Sequence, residues 1–156
     1  MKSFFQSFIL GTLAALATLI TFSVQLPTWI LFVAWTSYFL FGKNIKSSLS
    51  ALAQQILGII IAILITKFGN FLGDKLVSPH GFHLSVFAIL TGVFYLSKLP
   101  FLNILPAYFL GMVVWFGADP IPNVENVIKI VMTLTTGYCF GWVNDRLNTQ
   151  INPGSQ

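Results

Sequence analysis

Charge is what this sequence has least of. Asp, Glu, Lys and Arg make up 8% of its 156 residues, against roughly 25% in a soluble globular domain. Cysteine is nearly missing as well. The single Cys139 lies in an apolar run with no second thiol to join, so no oxidised framework is encoded. The sequence contains no Ser-His-Asp arrangement, no HExxH and no paired aspartates inside an apolar run. It therefore predicts neither an enzyme nor a bound cofactor. The pair His80 and His83 has too few companions for a metal site, which needs three or four ligands. Charge at mid-depth of the apolar runs, the usual mark of a proton relay or an ion-coupled carrier, is also absent.

What the sequence has in abundance is apolar residues, 56% of the chain, with a mean hydropathy of +0.84. A helix needs about 20 apolar residues to cross a hydrocarbon core, so this length holds roughly six crossings and leaves no room for a large soluble domain. Apolar stretches broken by Pro, Gly and charge predict spans at 4–24, 27–42, 50–68, 82–98, 104–118 and 126–144. The runs are continuous rather than alternating, which favours helices over a barrel. The expectation is an all-α polytopic membrane protein, a single transmembrane domain over 1–148 followed by a disordered polar tail over 149–156. The first run is longer than the 7–15 residues of a secretory signal core and reads as a retained span.

The net charge of +4 reports orientation here rather than a nucleic-acid partner. With the N-terminus inside, Lys2, Lys43, Lys46, Lys98 and Arg146 fall on the cytoplasmic side, and Lys67, Lys75 and Lys129 fall outside. Basic residues in short loops favour that choice, with both termini cytoplasmic.

Moving the chain along itself by 79 positions, the distance from Pro27 to Pro106, aligns the spans in order and divides them into halves at about 4–68 and 82–147. Leu26-Pro27 falls on Leu105-Pro106, Asn44 on Asn123, Gln54 on Thr133, Gly58 on Gly137, Ala62 on Gly141 and Lys67 on Arg146. A repeated unit with an odd number of crossings must be inverted, the plan of many transporters, whose pathways run where the halves meet. Spans two and five each open on Leu-Pro and reach only about 24 Å at 1.5 Å per residue, less than the roughly 30 Å core. They are candidate hinges, or helices whose first turn simply accommodates proline.

Uncharged polar groups inside the spans supply the candidate solute path. Gln54 and Gln55 precede Gly58, and Thr133 and Thr136 precede Gly137. Such groups either replace the water of a small neutral solute or bond helices together. Trp35 and Trp115, one near each short span, are path candidates or interfacial anchors. Pro27, Gly58, Ala62, Pro106, Gly137 and Gly141 are assigned to packing and hinging, because small residues four apart let helix backbones approach.

The stretches FVAWTSYFLFG with IKSSLSALAQQILGIIIAIL, and LPAYFLGMVVWFGAD with IKIVMTLTTGYCFGWVNDRL, resemble the bacterial family catalogued as domain of unknown function 1097. The resemblance covers most of the chain and implies a small multi-pass protein of the bacterial cytoplasmic membrane. It implies no substrate and no catalytic residue.

The residues point to two function classes. One is a channel or transporter for a small uncharged or weakly polar solute, surrounded by lipid and assembled as a homo-oligomer because six short helices enclose little volume. The other is a non-transporting scaffold or sensor that acts through protein partners. Reporter fusions after Lys46 and after Lys75 should report opposite sides of the membrane. The same side for both would refute three crossings per half.

Overall fold

The computed structural model describes residues 2–76 and 80–151. Among these the regular structure is all helix, in six elements: α1 (Lys2–Ser23), α2 (Thr28–Phe41), α3 (Ile45–Leu76), α4 (Gly81–Leu96), α5 (Leu105–Ala118) and α6 (Val124–Ile151). Two of them, over Ser3–Ser23 and Ile45–Lys75, are long and apolar enough to cross a membrane, while α2, α4 and α5 are shorter apolar helices.

Helix boundaries follow local chemistry. Pro27 is the N-cap of α2, and Pro106 lies in the first turn of α5, where a missing N–H costs nothing. Each of these helices has 14 residues and spans about 21 Å. The aligned asparagines Asn44 and Asn123 cap α3 and α6 in the same way. Asn44 Oδ1 accepts the Ser47 amide at 2.8 Å, and Asn123 Oδ1 accepts the Asn126 amide at 2.8 Å, each satisfying one of the donors that a helix start leaves open.

Helices α3 and α6 outrun their expected limits. The third span is expected to end at 68, yet α3 continues through Gly69 and Gly73, on which the first turn of α4 packs. A Cβ at Gly69 would lie 2.9 Å from Phe82 Cα, and one at Gly81 would overlap the Gly73 amide and the Gly69 carbonyl. Toward the end of α6, polar side chains bond back to their own helix. Asn148 Nδ2 donates to the Asn144 carbonyl at 2.9 Å, and Thr149 Oγ1 donates to that of Asp145 at 2.8 Å. The helix thus runs three residues into the expected tail, and 152–156 lie outside the described residues.

The chain forms two compact units, 1–52 with 123–156, and 53–122. In the first, α1, α2 and α6 share a core of Ala17, Leu31 and Trp35, bordered by Leu13, Ala14, Phe39 and Phe140. Helix α6 runs parallel to α2. Gly137 sits against the Leu31 carbonyl and Ala34, and Gly141 meets the Tyr38 side chain one turn later. At the bend between α1 and α2, Thr21 and Thr28 hydroxyls bond at 2.7 Å.

In the second unit α3 runs parallel to α5: Gln54 bonds the Ile104 amide just before α5 begins, and Thr66 and Lys67, further along α3, border one cavity with Trp115 and Asp119 toward the end of α5. Gly58 sits against the Tyr108 carbonyl, and Gly111 sits against that of Gln55. Helix α4 runs antiparallel to α3, with Ser85 Oγ donating to the Ile65 carbonyl at 2.8 Å. Each unit therefore contains a long helix laid parallel to a short proline-started one through glycine. The units do not follow the two sequence halves: the first joins α1 and α2 to α6, and the second joins α4 and α5 to most of α3.

Adding a methyl group at the close approaches forces backbone to move, a change that costs about 1–3 kcal/mol. Gly58→Ala, Gly111→Ala and Gly137→Ala should each lower thermal stability in detergent. Gly11→Ala and Gly92→Ala, where a Cβ meets nothing within 4 Å, should leave it unchanged or raise it, since alanine is the better helix former. Equal behaviour of the two groups would show that the glycine contacts do not hold the helices together.

Candidate functional site

The polar residues singled out in the sequence occupy different surroundings. Gln54 is fully buried and clasps the segment that leads into α5. Its Nε2 donates to the Phe101 carbonyl at 3.3 Å, and its Oε1 accepts the Ile104 amide at 2.7 Å. Tyr108, also fully buried, ties the same segment by donating to the Leu102 carbonyl at 3.2 Å. Gln55 is buried beside it, with its backbone carbonyl facing Gly111. On α6, Thr133 is buried and donates to the Lys129 carbonyl at 2.7 Å, and Thr136 donates to that of Met132 at 2.8 Å. Gln54 thus organises a loop, whereas the aligned Thr133 bonds within its own helix.

Trp35 and Trp115 each line a cavity in their own unit. Trp35 is 5% exposed, packs between Phe32 and Phe140 with ring centroids at 6.1 and 5.7 Å, and borders a 340 Å³ groove with Leu10, Ala14, Thr36 and Leu40. Trp115 is likewise 5% exposed and borders a 180 Å³ cavity with Thr66, Lys67, Asp119 and Pro120. Asp119 ends α5 in the left-handed region at φ 41°, a conformation Asp tolerates better than most residues.

One end of the first unit is polar. A 370 Å³ cavity there is bordered by Ser3, Gln6, Lys43, Asn144, Asp145 and Asn148. Leu10 and Phe39 border both this cavity and the Trp35 groove, so polar and apolar space adjoin along α1 and α2. Tyr38 donates to Asp145 Oδ2 at 3.1 Å. A second cavity of 490 Å³ brings together Lys43, Lys46 and Arg146, three of the basic residues assigned to the cytoplasmic side. At the opposite end of α6, Lys129 pairs with Glu125 at 2.6 Å across one turn. That hydrogen bond and the ammonium charge hold the Glu125 carboxyl below the usual carboxylate range.

Asn144 and Asn148 are polar residues of the same α6 face that no motif in the sequence marks. The signal was their spacing from the glycines: 137, 141, 144 and 148 follow the four-three alternation of one helix face. His80 and His83 sit at the start of α4 with ring centroids 6.1 Å apart. Among the described residues no group of three His, Cys, Asp or Glu could hold a metal ion.

The model of the family described as "Protein of unknown function (DUF1097)" matches residues 7–149. The chain belongs to this family. The match runs from the first turns of α1 to the last turn of α6, so the DUF1097 family pattern takes in all six helices. No curated protein and no solved structure matches the chain.

Removing the Gln54 side-chain amide leaves the Ile104 amide and the Phe101 carbonyl without that partner, a loss of about 1–3 kcal/mol for buried groups. In Gln54→Leu, hydrogen exchange at 101–105 should accelerate while exchange in α1 and α2 stays unchanged. Unaltered exchange at Ile104 would rule out the clasp.

Proposed function

We propose that this DUF1097 protein crosses the bacterial cytoplasmic membrane six times and conducts a small uncharged or weakly polar solute, as a channel or carrier. In this reading it is built from two inverted three-helix repeats that exchange their third helices. The supporting observation is the common plan of the two units. In each, the long helix is parallel to the short proline-started helix and antiparallel to the other one. Those are the directions that six successive crossings assign to α1, α2 and α6, and to α4, α5 and α3. The grouping of Ser3 and Gln6 with Lys43 and Asn148 around one cavity supports placing both termini on the cytoplasmic side.

In this reading each unit contributes its own aromatic cavity to solute passage, at Trp35 in the first and at Trp115 in the second, with Thr133 and Thr136 supporting the helices of the first unit and Gln54 and Gln55 those of the second. The protein does no covalent chemistry, needs no metal or cofactor, and works as a homo-oligomer in lipid. The hydrogen bonds of Gln54 and Thr133 to their own unit's backbone favour a second reading, a scaffold that transports nothing and acts through protein partners.

Stopped-flow swelling of proteoliposomes with a panel of small neutral solutes separates the two. Transport predicts a solute-dependent rate above that of empty vesicles, altered by Trp35→Ala or Trp115→Ala. Gln54→Leu and Gly137→Leu serve as structural controls. Rates equal to empty vesicles for every solute, together with no counterflow uptake of the same panel, would eliminate transport and leave the scaffold.

A further inference from the structure

The cavity of Lys43, Lys46 and Arg146 does not stand alone. Its only acidic lining residue is Asp145, whose carboxylate accepts the Tyr38 hydroxyl at 3.1 Å, so three cations face one carboxylate. Two of the cations are steadied over aromatic rings, Lys43 over Phe39 at 5.6 Å and Arg146 over Trp142 at 5.7 Å. Lys46 lies on the first turn of α3, where the positive end of the helix dipole adds to the field.

Directly beside this cavity is a 150 Å³ apolar groove bordered by Leu49, Leu52, Tyr138 and Cys139, and Ile45 and Trp142 border both spaces. Several of these side chains are apolar and open: Ile45 is 59% exposed, Leu49 60% and Trp142 40%. A basic cavity that continues into an open apolar groove complements an anionic head joined to an acyl chain. A free anion would use the cavity and leave the groove bare.

We propose that the first unit holds an anionic phospholipid, its phosphate among Lys43, Lys46 and Arg146 and one acyl chain along the groove from Trp142 to Leu52. This inference rests on the membrane reading above but not on transport. The site belongs to the cytoplasmic leaflet, where the sequence places these three residues, and basic pockets between helices on that face suit such headgroups.

The test uses the full chain in detergent micelles. Phosphatidylglycerol or phosphatidylcholine with identical acyl chains is added, and thermal stability is followed against lipid concentration. Inorganic phosphate and glycerol phosphate form parallel arms. Phosphatidylglycerol should stabilise the protein at concentrations where phosphatidylcholine and both soluble phosphates do not. In Lys43→Gln/Lys46→Gln/Arg146→Gln the apparent affinity for phosphatidylglycerol should fall on the order of 100-fold, since each basic residue near a lipid surface contributes roughly a fivefold factor. Lys98→Gln, remote in sequence from the cavity, should keep the preference, and Leu49→Asn should weaken phosphatidylglycerol binding through the groove alone.

Equal stabilisation by the two lipids, or a preference that survives the triple substitution, would overturn the proposal. Stabilisation by inorganic phosphate matching that by phosphatidylglycerol would also overturn it, in favour of a soluble anion. Flotation with phosphatidylcholine vesicles isolates the membrane reading: a protein that fails to float refutes both, whereas one that floats without headgroup preference refutes the lipid site alone.

Discussion

The close approach of helix backbones at glycine is the constraint on which the two units depend. Lipid gives apolar side chains little reason to leave it, so helices inside a bilayer are held by dispersion contacts and hydrogen bonds that need short distances. Gly137 against the Leu31 carbonyl and Gly58 against that of Tyr108 provide those distances. Once α6 is seated on α2, Gly141 meets Tyr38, and Tyr38 reaches Asp145. Once α3 is seated on α5, Gln54 can reach the Phe101 and Ile104 backbone. The hydrogen bonds follow from the packing.

The same constraint explains how these units afford polarity in an apolar chain. A buried amide or hydroxyl is costly without a partner. Thr133 meets this requirement within its own helix, and Gln54 meets it by holding a loop whose backbone needs a donor and an acceptor. The cavities lie elsewhere, beside Trp35, Trp115 and the basic cluster. Each has at least one aromatic ring in its wall, and two of them have long cationic stems as well, groups whose apolar bodies cover much of the surface.

Much of this was legible in the sequence. The helical class and number follow from run length, and the alignment of Asn44 with Asn123 and of Pro27 with Pro106 marks equivalent helix starts because caps and first-turn prolines are local chemistry. The full lengths of α3 and α6 were not legible. Apolar runs mark where a helix can sit in lipid and not where it stops, and the continuation of α3 through Gly69 and Gly73 goes with the first turn of α4 packed against them. Nor was it visible that α6 packs with α1 and α2 while most of α3 packs with α4 and α5: where nearly every face of a helix is apolar, periodicity does not reveal which partner a face meets. Gln54 illustrates the remaining gap, for its partners are backbone groups of a distant loop, and no residue type there announces them.

The composition of the units has a consequence for biosynthesis. Residues 53–122 are contiguous and hold everything their unit needs, so that unit can close as soon as α5 has left the ribosome. The other unit is made from the two ends of the chain. Helices α1 and α2 are synthesised before α3, α4 and α5, yet Leu31 and Ala34 wait for Gly137 on α6, which follows them all. Until α6 emerges, the face of α2 that Gly137 and Gly141 cover lacks that partner.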